Sequence, residues 1–492
     1  MRKKIVGGAL ACGVTALLGA CATSPSATGQ GSASMTRLLV DHVNIVDVRD
    51  GTIARDRAVL IADGKIIRIA AGGMRAQGAR KIDAKGSYII PGLVDMHVHN
   101  LNTPRPDASL ATMLASGITG IRQMAPAEPA TNAAMVSAET PRLLGMPGRL
   151  LAGPAFAAPE AVKTEILRQK EQGKDFIKVV DLPAPSFIAA IDGAREAGLP
   201  IAGHLPPAVD PRSAISHGMT SIEHMGPTIS LLLACSAAEE PIRAMLNAAP
   251  PRSDVDFNME PAKLQRLLAN PVLLTPPQGF ALIRRVLATY DEAKCQTFAR
   301  QLAASGTWIV PTLTRLEAMN IGNSADLRNN PDLRYVPAAT HKLWADVGDD
   351  FAAKLDADQQ GVLADLFASQ LKLAKLFDDN GVKMMAGTDF GGQWIVAGRS
   401  LHREFDLLAK AGISPLHILQ MATIAPARFL DRDASAGLVA VGRDADLVLL
   451  DGDPTQSVAN LHAVAGVINA GRYVSRAELS ARLDAVAASL RQ

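Results

Sequence analysis

Alternating strand-like and helical segments predict an α/β protein. Two observations support this prediction. Apolar strand-like runs alternate with helical patterns over residues 91–430, which is typical of a parallel sheet covered by helices and has the span of a TIM barrel. Short extended runs separated by turn residues lie on both sides of that region, at residues 36–90 and 431–476. We therefore expect a central α/β domain bracketed by a small β domain that both ends of the chain build.

The amino-terminal residues have the pattern of an export signal. Arg2-Lys3-Lys4 is followed by an apolar stretch, residues 5–20, that is too short to span a bilayer comfortably. The stretch ends in Leu18-Gly19-Ala20-Cys21, which resembles the lipobox of bacterial lipoprotein signal peptides. That resemblance implies cleavage after residue 20 and lipidation of Cys21. A plain secretory signal with an incidental cysteine is the alternative.

The expected mature chain begins with a flexible tether, residues 21–35, rich in small and polar residues. Ala22, rather than aspartate, follows Cys21, and lipoprotein sorting rules then imply the periplasmic face of the outer membrane. The membrane is thus one expected partner, through the lipid anchor. Cys235 and Cys295 are the cysteines that remain, and we expect core thiols because one possible disulfide is not a framework.

The charge balance argues against a nucleic-acid partner. The chain of 492 residues is 48% hydrophobic and 20% charged, with a formal net charge of +2. Three of its cations lie in the leader, residues 1–20, which contains no acidic residue. The mature protein is therefore close to neutral, and we expect a small-molecule substrate and no nucleic acid.

The β segments at the two ends complement each other. Residues 36–90 contain short extended runs separated by turn pairs such as Asp50-Gly51 and Asp63-Gly64. This unit is too thin to stand alone, and its missing half is expected near the carboxyl end. The strand-like runs there are residues 437–439, 444–451 and 467–473. Residues 477–492 are expected to form a terminal helix.

The central region provides the strands and helices of the predicted α/β domain. Candidate strands are residues 120–124, 176–180, 200–204, 221–224, 307–311 and 382–386. Candidate helices are residues 110–115, 157–172, 185–197, 351–378, 401–411 and 415–422. The stretches 231–305 and 316–350 interrupt the alternation, and we expect them to be helical insertions or lids.

One histidine pair suggests a metal site. Pro91-Gly92 is followed by an apolar run that ends in His97 and His99. Residues two apart in a strand point to the same face, so both imidazoles would meet at the end of this strand. Neutral imidazole is a good ligand for zinc and similar metals, although such a pair alone is a weak signal.

Four further residues make the site more specific. Lys178, His204, His224 and Asp389 lie in or at the ends of strand-like runs, and in a barrel such ends converge on one site. Each alone has a simpler interpretation: a core histidine, a surface lysine, or an aspartate that caps a helix. All six in strand order favour one shared centre.

The motifs resemble those of a known family. In chain order they are GLVDMHVH (92–99), GITGIR (117–122), DFIK (175–178), GH (203–204), EH (223–224), GTD (387–389) and GRDADLV (442–448). They resemble the metal-dependent amidohydrolase superfamily, especially its imidazolonepropionase-like and Xaa-Pro or Xaa-Arg dipeptidase branch. The resemblance implies a (β/α)8 barrel with a β-sandwich from both termini and a hydrolytic site with one or two metals.

The resemblance also implies roles for the six residues. His97, His99 and Asp389 would bind a first metal, and His204 and His224 a second. Lys178 would be carboxylated and would bridge the two. Zinc is expected, with manganese or cobalt as alternatives.

A metal-activated hydroxide would attack the carbonyl in the reaction that the resemblance implies. Asp389 would be the general acid and base that moves its proton to the leaving amine.

Four other residues are candidates for substrate binding. Arg122 and Gln123 lie at a strand end, and Arg399 and His402 follow the Asp389 loop. An arginine could hold a substrate carboxylate through two hydrogen bonds. For His402 a structural role is the alternative.

These observations favour hydrolysis of an amide bond in a dipeptide or N-acyl amino acid. One alternative is another amidohydrolase activity, on a cyclic amide, lactone or phosphoester. A second is a lipoprotein that keeps the fold as a non-catalytic binding module. The sequence leaves homo-oligomerisation open.

Overall fold

The structure is a computed structural model, and it describes residues 37–127, 139–226, 228–248 and 259–491. The predicted signal peptide, Cys21 and the tether lie outside these residues. Within the described part of the chain, none of the helices combines the length and apolar character that a bilayer crossing requires. The described residues confirm the α/β class.

Both ends of the described chain contribute to one eight-stranded sheet. Its order is β16-β15-β14-β5-β1-β2-β3, and β4 pairs with β1. The strands are β1 (Arg37–Val46), β2 (Ile53–Ala62), β3 (Lys65–Ala71), β4 (Ala79–Asp83), β5 (Tyr88–Pro91), β14 (Leu447–Leu450), β15 (Val464–Asn469) and β16 (Arg472–Ser475). The two halves join where β5 pairs antiparallel with β14, with Pro91 opposite Leu447 and Tyr88 opposite Leu450.

Alternation along the strands gives this sheet apolar side chains on both faces. Leu38 and Val40 of β1 belong to one buried cluster, together with Val59 of β2. Leu39, between Leu38 and Val40, belongs to another cluster. Leu60, which follows Val59 in β2, belongs to the same second cluster. The period of two, which places neighbouring residues on opposite faces, explains this division.

The central region contains two parallel sheets. One has the order β6-β7-β8 and the other β13-β12-β11-β10-β9. The strands are β6 (Leu93–Val98), β7 (Ile118–Gln123), β8 (Arg142–Gly145), β9 (Leu151–Ala152), β10 (Ile177–Asp181), β11 (Ile201–Gly203), β12 (Ser221–Glu223) and β13 (Trp308–Val310).

The predicted strand at residues 382–386 forms isolated bridges rather than a regular strand. Met384 bridges Ile309 of β13, and Phe390 bridges Val98 of β6. The Met96 N–H donates to the Ala386 carbonyl at 3.0 Å. This segment therefore links the two parallel sheets through backbone hydrogen bonds.

Helices follow most strands and also form the predicted insertions. They are α1 (Pro106–Ala115), α2 (Pro159–Glu171), α3 (Ala184–Ala197), α4 (Pro211–His217), α5 (Ser230–Leu233), α6 (Glu239–Ala248), α7 (Pro261–Ala269), α8 (Pro277–Ala288), α9 (Glu292–Ser305), α10 (Leu313–Asn320), α11 (Ala325–Arg328), α12 (Ala338–Lys354), α13 (Ala357–Asp379), α14 (Arg399–Lys410), α15 (Pro415–Met421), α16 (Ile424–Phe429) and α17 (Arg476–Ser489).

The helix expected at residues 351–378 is divided into α12 and α13. Leu355 is extended, and Asp356 caps α13 by accepting a hydrogen bond from the Gln359 N–H at 2.8 Å. The Gln359 side chain in turn accepts from the Asp356 N–H. This reciprocal capping box starts a new helix where the apolar pattern alone suggested continuity.

The expectation of two core thiols is wrong, because Cys235 and Cys295 form a disulfide. Cys295 lies in α9 and Cys235 follows α5, and both are fully buried. The two cysteines are 60 positions apart in the sequence, so the tertiary fold brings them together.

Candidate metal centre

The end of β6 and the loop after residue 386 build the centre together. The Nε2 atoms of His97 and His99 lie 3.2 and 3.1 Å from Asp389 Oδ1. One ligand atom from each of the three residues lies within 4.8 Å of the others, which suits a metal ion. The Asp389 N–H donates to the His97 carbonyl at 2.8 Å, so backbone pairing fixes the carboxylate beside the histidines.

Asp95 fixes the loop that carries Asp389 through hydrogen bonds to Thr388. Its carboxylate accepts hydrogen bonds from the Thr388 N–H at 3.0 Å and the Thr388 hydroxyl at 2.7 Å. Asp95 is fully buried and two residues before His97 in β6. The strand that presents the histidines therefore also positions the residue that precedes Asp389.

Glu223 orients the His97 ring. Glu223 Oε2 lies 2.7 Å from His97 Nδ1, and Arg122 donates to Glu223 Oε1 at 2.8 Å. A carboxylate that accepts from Nδ1 leaves Nε2, which faces Asp389, free as a ligand. Glu223 belongs to the EH motif (223–224), but the sequence did not indicate this role. An acidic residue directly before a candidate ligand was the available signal.

Thr312 orients the His224 ring in the same way. The Thr312 hydroxyl lies 2.8 Å from His224 Nδ1. The centroids of the His224 ring and the His97 ring are 4.5 Å apart, and those of His204 and His224 are 4.9 Å apart. The rings of His97, His99, His204 and His224 thus form one continuous group.

Lys178 lines the same cavity as the histidines, and the nearby charges of Glu223 and Asp389 offset part of the cost of its burial. The side chain is 2% exposed, and its Nζ makes no hydrogen bond among the described residues. Burial lowers the pKa of Lys178 to about 8. A buried amine of this kind is costly unless it meets another group.

Three of the histidines, His99, His204 and His224, are held in the neutral form that binds metals. Burial lowers the pKa of His204 to about 3, and the nearby Lys178 charge adds to this effect. Burial also lowers the pKa values of His99 and His224. Metal ligation requires neutral imidazole, so the donors of the described site fit a divalent cation.

Arg315 is a site residue that the sequence analysis missed. Its Nε lies 3.1 Å from Asp389 Oδ2, and its side chain is buried. Its other nitrogens donate to the carbonyls of Ala269 at 2.6 Å and Leu268 at 2.7 Å. Arg315 lies between the predicted strand at 307–311 and the predicted insertion at 316–350, in a stretch to which no role was assigned, so its place beside Asp389 had no local signal.

All six predicted metal-site residues line one cavity of about 800 Å³. Helices α7, α10 and α12 provide much of its remaining wall, together with the segment before α12. The predicted insertions therefore cover the centre.

The four candidates for substrate binding do not line this cavity. Arg122 lies beneath the centre, where its Nε donates to the Met96 carbonyl at 2.7 Å. Gln123 is buried and donates to the Asn102 side chain at 2.6 Å. Both side chains therefore form hydrogen bonds with neighbouring segments at the end of β7, and neither faces the cavity.

Arg399 and His402 belong to the packing of α14. His402 Nε2 lies 2.9 Å from the Ser116 carbonyl, and its ring stacks on His462 at 4.8 Å. The Arg399 guanidinium lies over the Tyr335 ring at 5.8 Å, behind a residue that does line the cavity. These contacts are the ones that the structural alternative for His402 would make.

Comparisons with known proteins agree with this geometry. The model of the amidohydrolase family matches residues 88–474. The dihydroorotase of Lactococcus lactis is 22% identical over 429 residues, which are 85% of this chain and 90% of that protein. Three other dihydroorotases, from Pelotomaculum thermopropionicum, Carboxydothermus hydrogenoformans and Streptococcus pneumoniae, are 36% to 44% identical, but this chain covers only 14% to 24% of their length.

Solved structures share the fold at low identity. Bottromycin amidohydrolase has a TM-score of 0.68 and 21% identity, with coverage of 93% of this chain and 91% of that one. A Xaa-Pro dipeptidase with bound methionine in its active site has a TM-score of 0.59 and 17% identity, with coverage of 89% and 100%. At these identities the likeness concerns the fold alone.

Proposed function

The chain belongs to the amidohydrolase family, and from that premise we propose that it is a metal-dependent hydrolase that cleaves an amide bond of a dipeptide or N-acyl amino acid. The observation that supports this proposal most strongly is that ligand atoms of His97, His99 and Asp389 lie close together in the lining of a large cavity. A hydrolase acting on carbon–nitrogen bonds agrees with both the family and its structural neighbours.

The proposed site holds two divalent ions, zinc first and manganese or cobalt as alternatives. His97, His99 and Asp389 would hold one ion, and His204 and His224 the other. When bound, such ions supply Lewis acidity and lower the pKa of water towards neutrality. The unpartnered Nζ of Lys178 fits this arrangement. Its neutral amine would add to carbon dioxide, lose a proton and become an anionic carbamate that bridges the ions.

The remaining steps belong to this chain's own side chains. Asp389 would accept the proton of the attacking water through its carboxylate and then donate it to the leaving amine nitrogen. Arg315 fixes Asp389 Oδ2 at 3.1 Å. Burial alone would raise the pKa of Asp389, but the neighbouring imidazoles of His224, His97 and His99 hold this pKa well below its usual range.

Metal stoichiometry is the test of this proposal. The mature protein would be produced with zinc or manganese and bicarbonate, and its metal content measured by elemental analysis beside Lys178→Ala. We expect two ions per chain, falling to one or none in the variant. Lys163→Ala, which removes an exposed lysine of α2, is the matched control and should keep both ions.

Two other outcomes point to the alternatives. One ion, unaffected by Lys178→Ala, would favour a mononuclear enzyme and a screen of cyclic amides, lactones and phosphoesters. The similarity to the Lactococcus lactis dihydroorotase over 85% of this chain makes the cyclic amide the first of these. A protein without metal would instead favour the non-catalytic binding lipoprotein.

We also propose that the two parallel sheets form one (β/α)8 barrel, with the terminal sheet as the β-sandwich. The bridges of Met384 to Ile309 and of Phe390 to Val98 support this closure, since they connect the sheets along one side.

The proposed location is the periplasmic face of the outer membrane, through lipidated Cys21. The disulfide between Cys235 and Cys295 supports export, because disulfides persist in oxidising compartments. Cys21→Ser should release the protein from the membrane fraction or leave the leader uncleaved. An unchanged fractionation with an unchanged amino terminus would contradict the anchor.

A further inference from the structure

The wall of the cavity is mainly apolar away from the metal centre. It includes Met124, Leu267, Leu316, Met319, Leu343 and Trp344. These side chains come from separate elements, among them α7, α10 and α12, so the apolar surface surrounds the cavity on several sides. Burial of such a surface against a ligand is favourable in proportion to the apolar area covered.

The apolar wall begins directly beside Asp389. Arg315 contacts the Asp389 carboxylate and also binds the carbonyls of Leu268 and Ala269, which line the same cavity. Leu316, the next residue of α10, is part of the wall. A group attached to the scissile amide would therefore meet apolar side chains within a few bonds of the reacting carbon.

The aromatic part of the wall is held in place by contacts outside the cavity. The rings of Trp344 and Trp394 pack edge to face with centroids 6.0 Å apart. Gln393 donates to the Trp344 carbonyl at 2.7 Å, and Trp394 Nε1 donates to the Gly322 carbonyl at 2.7 Å. A wall that is fixed before binding costs little to order when the ligand arrives.

Charged groups of the described wall are already paired. Apart from the proposed metal ligands, its charged side chains are Arg105 and Arg315. Arg105 forms a two-point contact with Asp107, at 3.0 and 2.8 Å, and Arg315 contacts Asp389. The described wall therefore offers apolar contact more readily than a free charge.

The size of the cavity then limits the ligand. Sites for drug-sized ligands measure about 300–1,000 Å³, and this cavity of about 800 Å³ lies towards the upper end. A small polar cyclic amide would leave most of the apolar wall against water. We infer that the substrate carries a bulky apolar group, of the size of a medium-chain fatty acyl or an aryl group, which packs against this wall. This inference rests on the proposed amide hydrolysis.

Two matched substrate series test the inference with the metal-loaded enzyme. One varies the acyl side (N-acetyl-, N-hexanoyl- and N-decanoylglycine) and the other the amine side (N-acetylglycine, N-acetylleucine and N-acetyltryptophan). We expect kcat/KM to rise along at least one series, by about two- to fourfold per buried methylene until the cavity is filled. Flat or falling values in both series would overturn the inference.

A variant of the wall links the effect to this cavity. Ala339 lines the cavity and is exposed on the first turn of α12, so Ala339→Trp adds bulk there without disturbing the core. We expect the kcat/KM ratio of the largest to the smallest substrate in the rising series to fall at least tenfold. Ala338→Trp is the control, because Ala338 is exposed on the same turn and does not line the cavity. It should keep the parent ratio, and an equal loss in both variants would contradict the assignment.

A binding measurement separates this inference from the proposed function. Decanoate and acetate, and likewise indole and methylamine, are titrated calorimetrically into the parent protein and Ala339→Trp. Tighter binding of the larger probe in either pair, weakened in the variant, supports the apolar wall even if no amide is cleaved, in which case only the amide hydrolysis fails. Hydrolysis of both series without preference for size would leave the hydrolase standing and remove the inference.

Discussion

Glu223 is the residue on which the orientation of His97 depends. It accepts from His97 Nδ1 at 2.7 Å and is fully buried beside Arg122. In Glu223→Gln the amide keeps the shape but not the charge, and we expect metal affinity to fall about 10- to 100-fold. Metal-buffered titrations measure this change.

Glu165→Gln is the matched control for that experiment. Glu165 is also a buried carboxylate with an arginine partner, Arg168, but it lies on α2 and does not line the cavity. Its variant should bind metal as the parent does. Equal affinities for Glu223→Gln and the parent would show that Glu223 does not support His97.

Glu404 should make stability depend on pH. The side chain is fully buried, accepts from the Thr314 N–H at 2.8 Å, and has one oxygen without a hydrogen bond among the described residues. Burial raises the pKa of Glu404 from 4.5 to about 8. The folded protein thus holds a proton that the unfolded chain releases above pH 4.5. Its stabilising contribution is complete below that pH and is lost as the pH rises through about 8.

The variant Glu404→Gln cannot titrate and tests this relation. Between pH 5 and 8 we expect the melting temperature of the parent to fall more steeply than that of the variant, measured by thermal unfolding in matched buffers. Glu171→Gln removes an exposed carboxylate of α2 and should keep the parent's slope. Parallel curves for the parent and Glu404→Gln would refute the assignment.

Some residues of the site could be predicted from local sequence patterns, whereas others depend on contacts between distant segments. His97 and His99 could be recognised because a strand places residues two apart on one face. Arg315 reaches Asp389 across 74 positions of sequence through the packing of α10, so no local pattern reports it. For Arg122 the sequence identified a strand end but not the direction of the side chain, which donates to Met96 and Glu223.

Among the elements, the pair β10 and β11 is sensitive to a small change, because the two strands approach closely at Gly203. Gly203 has a φ of +150°, and a Cβ there would lie 1.9 Å from the Val179 carbonyl oxygen. Lys178 and His204 are the immediate neighbours of these two residues in the chain. We expect Gly203→Ala to destabilise the fold by about 3 kcal/mol and to weaken metal binding, as measured by denaturant unfolding and metal titration.

Gly361→Ala serves as the control for that substitution. Gly361 lies in α13, and a Cβ there would meet open space. Since alanine has the higher helix propensity, this variant should be more stable by about 0.5–1 kcal/mol. If Gly203→Ala were as stable as the parent, the close approach of the two strands would not be a constraint.

Element boundaries followed local signals where such signals existed. The predicted helix at 157–172 corresponds to α2 and that at 185–197 to α3, because proline starts and periodic apolar residues mark both. The segment around residue 384 reads as a strand but makes only isolated bridges. Regular pairing depends on the neighbours on both sides, and these are far away in the sequence.

At the scale of the whole molecule, the disulfide should contribute substantially to stability. It closes a loop of 60 residues, and the chain-entropy relation gives about 4 kcal/mol for that length. The double variant Cys235→Ala/Cys295→Ala should lower the free energy of unfolding by an amount of this order, measured with denaturant. Reductant should destabilise the parent and leave the variant unchanged. A parent indifferent to reductant would contradict the bond.

The terminal sheet can be completed only after the last strands of the chain have been synthesised. Strand β5 hydrogen-bonds to β1 on one side and to β14 on the other, and β14 is made late, since a ribosome delivers the chain amino end first. Until residue 450 has emerged, β5 presents an unpaired edge of the kind that recruits other strands. A chaperone that covers this edge during synthesis would raise the yield of native protein.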